Sequence, residues 1–293
     1  MSQYIDEHRG SFGVEPICQV LAIAPSSYYA ARSRPASTRA LRDEQLKADI
    51  ARIHAANFGV YGVRKLWHQL RRAGIPIGRD HTGRLMTAMG LRGVVRGKTI
   101  RTTHPAVGER PADLVNRSFS APAPNRLWLA DLTYVWTVSG FCYTAFVIDA
   151  FARRIVGWRV AQSLRTDLAL GALEMAIWAR GSSLPGLVHH SDRGVQYLAI
   201  RYTERLAEAE AVNSVGAKGD SYDNALAETV NGLYKAELIH RQGPWRSVEQ
   251  VELATASWVD WWNRERLHGA CGGIPPAEFE AAYAAQQEVN PAA

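Results

Sequence analysis

The stretch that decides the fold of this 293-residue chain is RLWLADLTYVWT, residues 126–137. Aromatic and β-branched residues are frequent in it, and they favour a pleated strand. Period-two alternation places Leu129, Asp131 and Thr133 on one face of that strand. An ionised carboxylate in an otherwise hydrophobic strand is costly unless a cation or hydrogen-bond donors compensate its charge. The stretch therefore predicts a central strand with a functional acid, Asp131, in its middle.

Strands and helices follow this stretch in an order that predicts the fold class. Two more β-rich runs, 141–148 and 154–161, are joined by connections tight enough for antiparallel pairing. The later elements are predicted as helices 166–180, 197–209 and 224–239, strands 186–190 and 212–215, and a last helix near 247–262 with an irregular tail. The order β-β-β-α-β-α-β-α is that of a ribonuclease H-like α/β fold, whose mixed five-stranded sheet is covered by helices on both faces.

Two further acids stand where they can join Asp131. Asp192 follows a predicted strand directly, at the kind of strand end where α/β sheets commonly carry sites. Glu228 lies on the predicted helix 224–239, beside an apolar stripe expected to run from Leu226 to Leu233. Three carboxylates in such contexts can hold two magnesium ions for phosphoryl transfer.

Other acids and histidines compete for the same interpretation. Asp149 begins a turn, while Asp220 and Asp223 precede a predicted helix as turn or cap residues, so we predict structural roles for all three. His189 and His190 are adjacent on a strand and therefore point to opposite faces, which argues against joint binding of one metal. Phosphate-binding glycine loops and the Gly-x-Ser-x-Gly motif are absent from the sequence, so nucleotide hydrolases and serine hydrolases gain no support.

The front half of the chain is basic and predicted to be helical. Lys and Arg outnumber Asp and Glu by 19 to 9 in residues 1–124, against a net charge of +6 for the whole chain. Predicted helices 63–73 and 79–89, separated by a Gly-containing turn, match a helix-turn-helix whose second helix reads DNA. A small helical bundle with basic solvent faces is the alternative explanation.

Composition and breaks in the pattern suggest the organisation of the chain. Three distant cysteines indicate neither a disulfide framework nor a zinc knuckle, and the absence of a long apolar run or signal sequence suggests a soluble intracellular protein with no membrane partner. The predicted regions are a helical N-terminal region at 1–58, the helix-turn-helix at 59–103, a linker at 104–125, the catalytic core at 126–241, and a C-terminal helix and tail at 242–293.

Several motifs together resemble one protein family. They are YGVRK (61–65), GLRG (90–93), WLADLTY (128–134), RRIVGW (153–158), HSDRGVQY (190–197) and YDNA (222–225). In these motifs the chain resembles the integrase-like (OrfB) transposases of the IS-three insertion-sequence family, which are similar to retroviral integrases. The resemblance implies a DNA transposase with a catalytic Asp-Asp-Glu triad at Asp131, Asp192 and Glu228.

The resemblance also implies a cofactor, DNA contacts and partners. It implies two Mg²⁺ ions, with Mn²⁺ as a substitute, bound by the triad. The residues expected to contact DNA are Lys235 and Asn224 at phosphates of the element's end, Arg79, Thr82 and Arg84 at bases, and Arg64, Lys65, Arg92 and Arg96 at the backbone. Expected partners are terminal inverted repeats and target DNA, further copies of the chain, and an upstream-frame product fused by frameshifting. The expected location is the bacterial cytosol, at the nucleoid when bound to DNA.

Two other functions fit parts of the pattern. A plain ribonuclease H-like nuclease would cleave nucleic acid without joining strands. A DNA-binding regulator or truncated inhibitor of transposition would use only the basic front half.

Overall fold

The computed structural model of this protein describes residues 2–95, 115, 119–192, 194–216 and 224–289. Its chain divides into two compact units, Met1–Asp49 and Ile50–Ala293. The first unit holds helices α1 (Ser2–Phe12), α2 (Val14–Val20), α3 (Pro25–Ser33) and the first part of α4 (Thr38–Ala56). Its small core consists of Ile5, Ile17, Cys18 and Tyr28.

Helices α5 (Val63–Arg72) and α6 (Arg79–Ala88) open the second unit. They pack through the buried side chains of Leu66, Leu70, Leu85 and Met86. The turn between them is held by Trp67, whose Nε1 donates a hydrogen bond to the Ile77 carbonyl at 3.0 Å. The predicted pair of helices and its turn are therefore present. Most of the predicted linker 104–125 lies outside the described residues.

A mixed five-stranded sheet forms the centre of the second unit. Its strands are β1 (Leu127–Thr137), β2 (Gly140–Asp149), β3 (Arg154–Ala161), β4 (Val188–Ser191) and β5 (Val212–Val215). The spatial order is β3-β2-β1-β4-β5, in which β1, β2 and β3 are antiparallel while β4 and β5 run parallel to β1. The predicted fold class is confirmed, including the order of strands and helices.

Helices cover both faces of the sheet. Helix α7 (Thr166–Arg180) and α8 (Ile200–Glu208) pack on the face that carries Trp128 and Ala130. On the other face, Phe146 of β2 meets Tyr234 at the end of α9 (Ala225–Tyr234), with ring centroids 5.1 Å apart. Trp258 of α11 (Val248–Arg264) in turn lies 5.2 Å from the Tyr234 ring. Each buried strand therefore contributes alternate residues to two separate layers.

One glycine permits the close approach of α7 to β3. A Cβ atom at Gly157 would lie 2.0 Å from the carbonyl oxygen of Ala172 and 2.9 Å from the Cβ of Ala176. Neither neighbour is a flexible side-chain end, so the helix would have to move. The glycine at this position therefore sets the distance between the two elements.

The predicted helix 224–239 differs from the structure in two ways. After α9 the chain continues as a π-helical turn, Lys235–Ile239, and a short α10, His240–Gln242. The buried face of α9 carries Ala227, Val230, Asn231 and Tyr234. The expected stripe from Leu226 to Leu233 was therefore wrong at both ends, where the leucines are only half-buried. A polar residue, Asn231, replaces a leucine on the buried face because it has a partner on β1.

The predicted irregular tail is also wrong. Helix α12 (Pro276–Val289) follows a 3₁₀ turn at Gly269–Cys271. Its aromatic residues Phe279 and Tyr283, one helical turn apart, both pack on Phe151, with ring centroids 5.1 and 4.8 Å away. The four-residue spacing of these aromatic residues could have predicted the helix, but the alanines around them make the apolar periodicity hard to recognise. None of the helices in the described ranges combines the length and the apolar character that crossing a membrane requires.

Candidate active site

Asp131 and Asp192 lie side by side where β4 ends against the middle of β1. The two strands are parallel, and their last paired residues are Ala130 and Ser191. Asp131 is the next residue of β1, and Asp192 directly follows the end of β4. The parallel register therefore brings together two acids that are 61 positions apart in the sequence, at the carboxyl end of β4.

The Asp131 carboxylate is held by two hydrogen-bond donors. Its Oδ1 accepts from the Leu132 backbone N–H at 2.8 Å, and its Oδ2 accepts from the Asn231 side-chain amide at 2.9 Å. Burial raises the pKa of Asp131 well above its usual value, and the charges of Asp192 and, less strongly, Glu228 raise it further. The two hydrogen bonds act in the opposite direction. All three predicted acids therefore contribute to one electrostatic site.

Asp192 sits in a similar environment. Burial raises its pKa, while a hydrogen bond from the Gly194 backbone N–H, 2.9 Å from Oδ1, and the charge of His190 lower it. The buried hydroxyl of Tyr197 has no hydrogen-bond partner among the described residues. Burial raises the pKa of this tyrosine first of all, and the charges of Asp192 and Asp131 raise it further. Two carboxylates and a phenol therefore share a poorly solvated corner.

Glu228 completes the set from the first turn of α9, with an exposed side chain. In the part of the chain that the structure describes, no three His, Cys, Asp or Glu side chains are grouped tightly enough to hold a metal ion as they stand. The side chain of Glu228 is exposed, and its charge acts on Asp131. Carboxylate oxygens are the donors that Mg²⁺ and Mn²⁺ prefer, so the chemistry of the three groups fits such ions.

Lys235 lies beside the acids, at the start of the π-helical turn. Its Nζ is 4.1 Å from the centroid of the Tyr134 ring. Burial lowers the pKa of Lys235, and the charge of Asp131 partly opposes this effect. The ammonium group is therefore close enough to Asp131 for the two charges to interact.

Two asparagines connect α9 to β1. Asn224, 6% exposed, donates from its amide to the Ala130 carbonyl at 2.9 Å. This buried position argues against the predicted phosphate contact of Asn224 and indicates a structural role in anchoring the helix next to Asp131. Asn231, which sequence reasoning missed, binds the Asp131 carboxylate directly. Its spacing of three residues from Glu228, on the same side of the helix, was the available signal.

The predicted DNA contacts of the helix-turn-helix divide by exposure. Thr82 is fully buried and donates to the Gly78 carbonyl at 3.0 Å, so its predicted role in reading bases was wrong. Lys65 is half-buried, and burial lowers its pKa to about 8, so it is not a freely solvated backbone contact. The exposed members of the predicted set are Arg64, Arg79, Arg84 and Arg92, and Arg96 lies outside the described residues.

The competing acids and histidines occupy structural positions where they are described. Asp149 is completely buried and accepts from the backbone N–H groups of Asn125 at 2.8 Å and Phe151 at 3.0 Å. His189 contacts the Tyr202 hydroxyl, and His190 contacts the Ser214 hydroxyl, at 3.0 and 2.9 Å. Burial, together with the charge of the neighbouring His190, lowers the pKa of His189 to about 3. The predicted acids Asp220 and Asp223 lie outside the described residues.

Comparison with known families assigns most of the chain. Residues 40–99 match a family model described as an HTH-like domain. Residues 121–221 and 212–276 match two models described as an integrase core domain. The predicted helix-turn-helix and integrase core are thereby confirmed.

Relatives of known name agree. A protein of Mycobacterium tuberculosis (strain ATCC 25177 / H37Ra), named for insertion sequence element IS986/IS6110, is 59% identical over 93% of this chain and 100% of its own length. Transposase InsF for insertion sequence IS3A of Escherichia coli (strain K12) is 31% identical over 94% of this chain and 97% of its own. Among solved structures, the HTLV-2 integrase catalytic core domain in complex with magnesium (trimeric form) aligns at 16% identity with a TM-score of 0.43, covering 54% of this chain and 98% of that one. This chain belongs to the integrase-like transposases of the IS-three insertion-sequence family, enzymes of DNA transposition.

Proposed function

We propose that this transposase cleaves and joins DNA strands by two-metal phosphoryl transfer at Asp131, Asp192 and Glu228. The observation that carries the proposal is electrostatic. The charges of Asp192 and Glu228 both raise the pKa of Asp131, which burial has already raised. Negative groups that destabilise one another in a poorly solvated corner gain from bound cations.

Asp131, Asp192 and Glu228 would together hold the metal ions. When bound, Mg²⁺ or Mn²⁺ ions activate an attacking water or DNA 3′-hydroxyl and stabilise the leaving 3′-oxygen. Asn231 and the Leu132 N–H each occupy one oxygen of Asp131, so they orient the carboxylate and favour its ionised form.

The lysine next to the triad binds DNA in this proposal. The Lys235 ammonium group lies 4.1 Å from the centroid of the Tyr134 ring and interacts with the charge of Asp131. In this proposal the Lys235 ammonium group would also bind a phosphate of the element's end. The helix-turn-helix region 59–103 supplies the exposed arginines that bind more distant phosphates and bases, while residues 126–241 carry out the chemistry.

The assembly follows from the substrate. Joining an element to a target requires double-stranded DNA at two terminal inverted repeats and at the target, so we propose a homo-oligomer on DNA at the bacterial nucleoid. We also propose that a product fused by frameshifting to the upstream frame is a working form.

A strand-transfer assay with the element's own ends in Mg²⁺ tests the proposal. We expect the wild type to join ends and Glu228→Gln to lose joining, because an amide is a much weaker metal ligand. Glu252→Gln is the matched control, since Glu252 is exposed on α11. The fused product is assayed in parallel. Unaltered joining by Glu228→Gln would end the proposal.

The joining assay and a test of the biological effect in cells separate the other two functions. A plain nuclease would cut the ends but yield no joined product when supplied with a DNA 3′-hydroxyl. A regulator would keep its biological effect in Glu228→Gln and lose it in an Arg79→Ala, Arg84→Ala double variant.

A further inference from the structure

Three exposed aromatic side chains form a continuous row on the β1–β2 hairpin. Trp136, Phe141 and Tyr134 are 64%, 49% and 39% exposed. The Trp136 and Phe141 rings lie 4.7 Å apart at 77°, and the Phe141 and Tyr134 rings lie 5.7 Å apart at 86°. We call these three residues the aromatic platform. Large apolar side chains grouped at the surface indicate a binding surface, because water solvates them poorly.

The aromatic platform lies on the part of the central strand β1 that extends past the end of β4. Strand β4 pairs with β1 only as far as Ala130, and Trp245 forms a bridge to Thr137 at the far end of β1. Tyr134 and Trp136 point to the sheet face opposite Asp131, as alternation along the strand requires. They follow Asp131 by three and five residues, which corresponds to roughly 10 to 17 Å along the strand.

Lys235 connects the aromatic platform to Asp131 beyond the end of β4. Its Nζ lies over the Tyr134 ring at 4.1 Å, and the charge of Asp131 acts on the same group. A DNA strand that has a phosphate at Lys235 therefore has its neighbouring nucleotides within reach of the three rings. To reach both Asp131 and the rings, the DNA strand would cross from one sheet face to the other beyond the end of β4.

The charge around the aromatic platform favours nucleic acid as its occupant. The sequence between Asp131 and Asp149 contains no charged residue. The backbone of a second basic residue, the exposed Arg246, lies at the hairpin tip, where the Ser139 hydroxyl donates to its carbonyl at 2.9 Å. Aromatic rings beside cations are the combination that binds unpaired nucleotides, because bases stack on the rings while the cations hold phosphates.

We propose that the aromatic platform stacks unpaired bases of the DNA end, a few nucleotides from the phosphate that reacts at Asp131. The proposal rests on the proposed function for the position of the DNA end. Stacking of this kind tolerates any base sequence, since every base has a π-face. The aromatic platform would therefore select ends whose terminal bases are unpaired, in addition to any sequence that the helix-turn-helix reads.

Equilibrium binding in EDTA tests the proposal without strand chemistry. Two fluorescent duplexes carry the element's own end, one fully paired and one with its terminal bases unpaired by mismatches. We expect the wild type to prefer the unpaired end by about tenfold, from roughly 1 to 3 kcal/mol of stacking per base. Trp136→Ala removes most of this preference, and Trp136→Phe keeps most of it. Trp178→Ala is the matched control, because Trp178 is an 88% exposed tryptophan on α7.

A base analogue gives a second measurement. 2-Aminopurine at the unpaired position loses fluorescence when it stacks, so we expect quenching by the wild type and by Trp178→Ala but not by Trp136→Ala. An unchanged preference and unchanged quenching in Trp136→Ala would overturn the proposal. If that variant instead alters only the oligomeric state in light scattering, the aromatic platform is a protein contact and the proposal is wrong.

The test is separate from the test of the triad. Glu228→Gln should keep the preference for unpaired ends while it loses joining. If Glu228→Gln still joins strands, the proposed function fails whether or not the preference is present. If joining behaves as proposed and the preference is absent, only the aromatic platform fails.

Discussion

A buried ion pair gives the sharpest prediction for stability. Glu237 of the π-helical turn and Arg266 after α11 are 5% and 4% exposed. Two hydrogen bonds join them, from Nε at 3.0 Å and from Nη2 at 2.5 Å. The guanidinium also lies 4.5 Å from the Trp262 ring. This pair connects the turn that carries Lys235 to the C-terminal segment.

Removal of the arginine should be far more costly than loss of an exposed pair. Arg266→Met leaves a carboxylate buried and unpaired, so we expect the free energy of unfolding to fall by about 3 to 5 kcal/mol. The exposed pair Arg201 and Asp167, 2.8 Å apart with side chains 69% and 68% exposed, is the control. Arg201→Met should cost less than about 1 kcal/mol, because water screens that pair.

A double variant separates charge burial from packing. Arg266→Met combined with Glu237→Leu removes both charges, and it should recover most of the stability lost in the single variant. Urea unfolding followed by tryptophan fluorescence measures all of these variants, since Trp262 adjoins the pair. The reasoning is refuted if Arg266→Met costs no more than Arg201→Met, or if the double variant is less stable than Arg266→Met.

Three further predictions concern the site and the core. Asn231→Ala removes a hydrogen bond that lowers the pKa of Asp131. That pKa should therefore rise, and the acid limb of the pH–rate profile for joining should move to higher pH. An unchanged pH–rate profile would contradict this prediction. Folding raises the pKa of Asp131. The free energy of unfolding is therefore highest while Asp131 is protonated, and it falls as pH rises from about 4, the unfolded pKa, through the folded pKa. Asp131→Asn should therefore melt higher than the wild type in EDTA at neutral pH, with the difference shrinking toward acid, and Mg²⁺ should raise the melting temperature of the wild type only. Gly157→Ala should lower the free energy of unfolding by at least about 1 to 3 kcal/mol, since its Cβ would meet the Ala172 carbonyl at 2.0 Å. Gly74→Ala is the steric control, because nothing lies within 4 Å of a Cβ there. The left-handed φ of Gly74 adds only a smaller backbone cost.

The sequence by itself determined the features that depend on local periodicity. Alternation in β1 predicts both the strand and the face of Asp131, because side chains on a strand have a period of two. The helices α5, α6 and α7 followed from apolar spacing and from Gly breaks in the same way. These predictions depend only on residues that are close in the sequence. The family motifs added the prediction of the triad and of Lys235.

Only the tertiary structure decided which polar side chains are buried and what they contact. Thr82 looks like a base-reading residue in the sequence, but packing turns it inward to the Gly78 carbonyl. Asn224 and Asn231 look like surface residues of α9, yet both are bound to β1 around Asp131. The two asparagine contacts join residues 94 and 100 positions apart, and helix periodicity carries no information about the strand that a helix will meet. A buried polar side chain is stable only when folding brings a hydrogen-bond partner next to it.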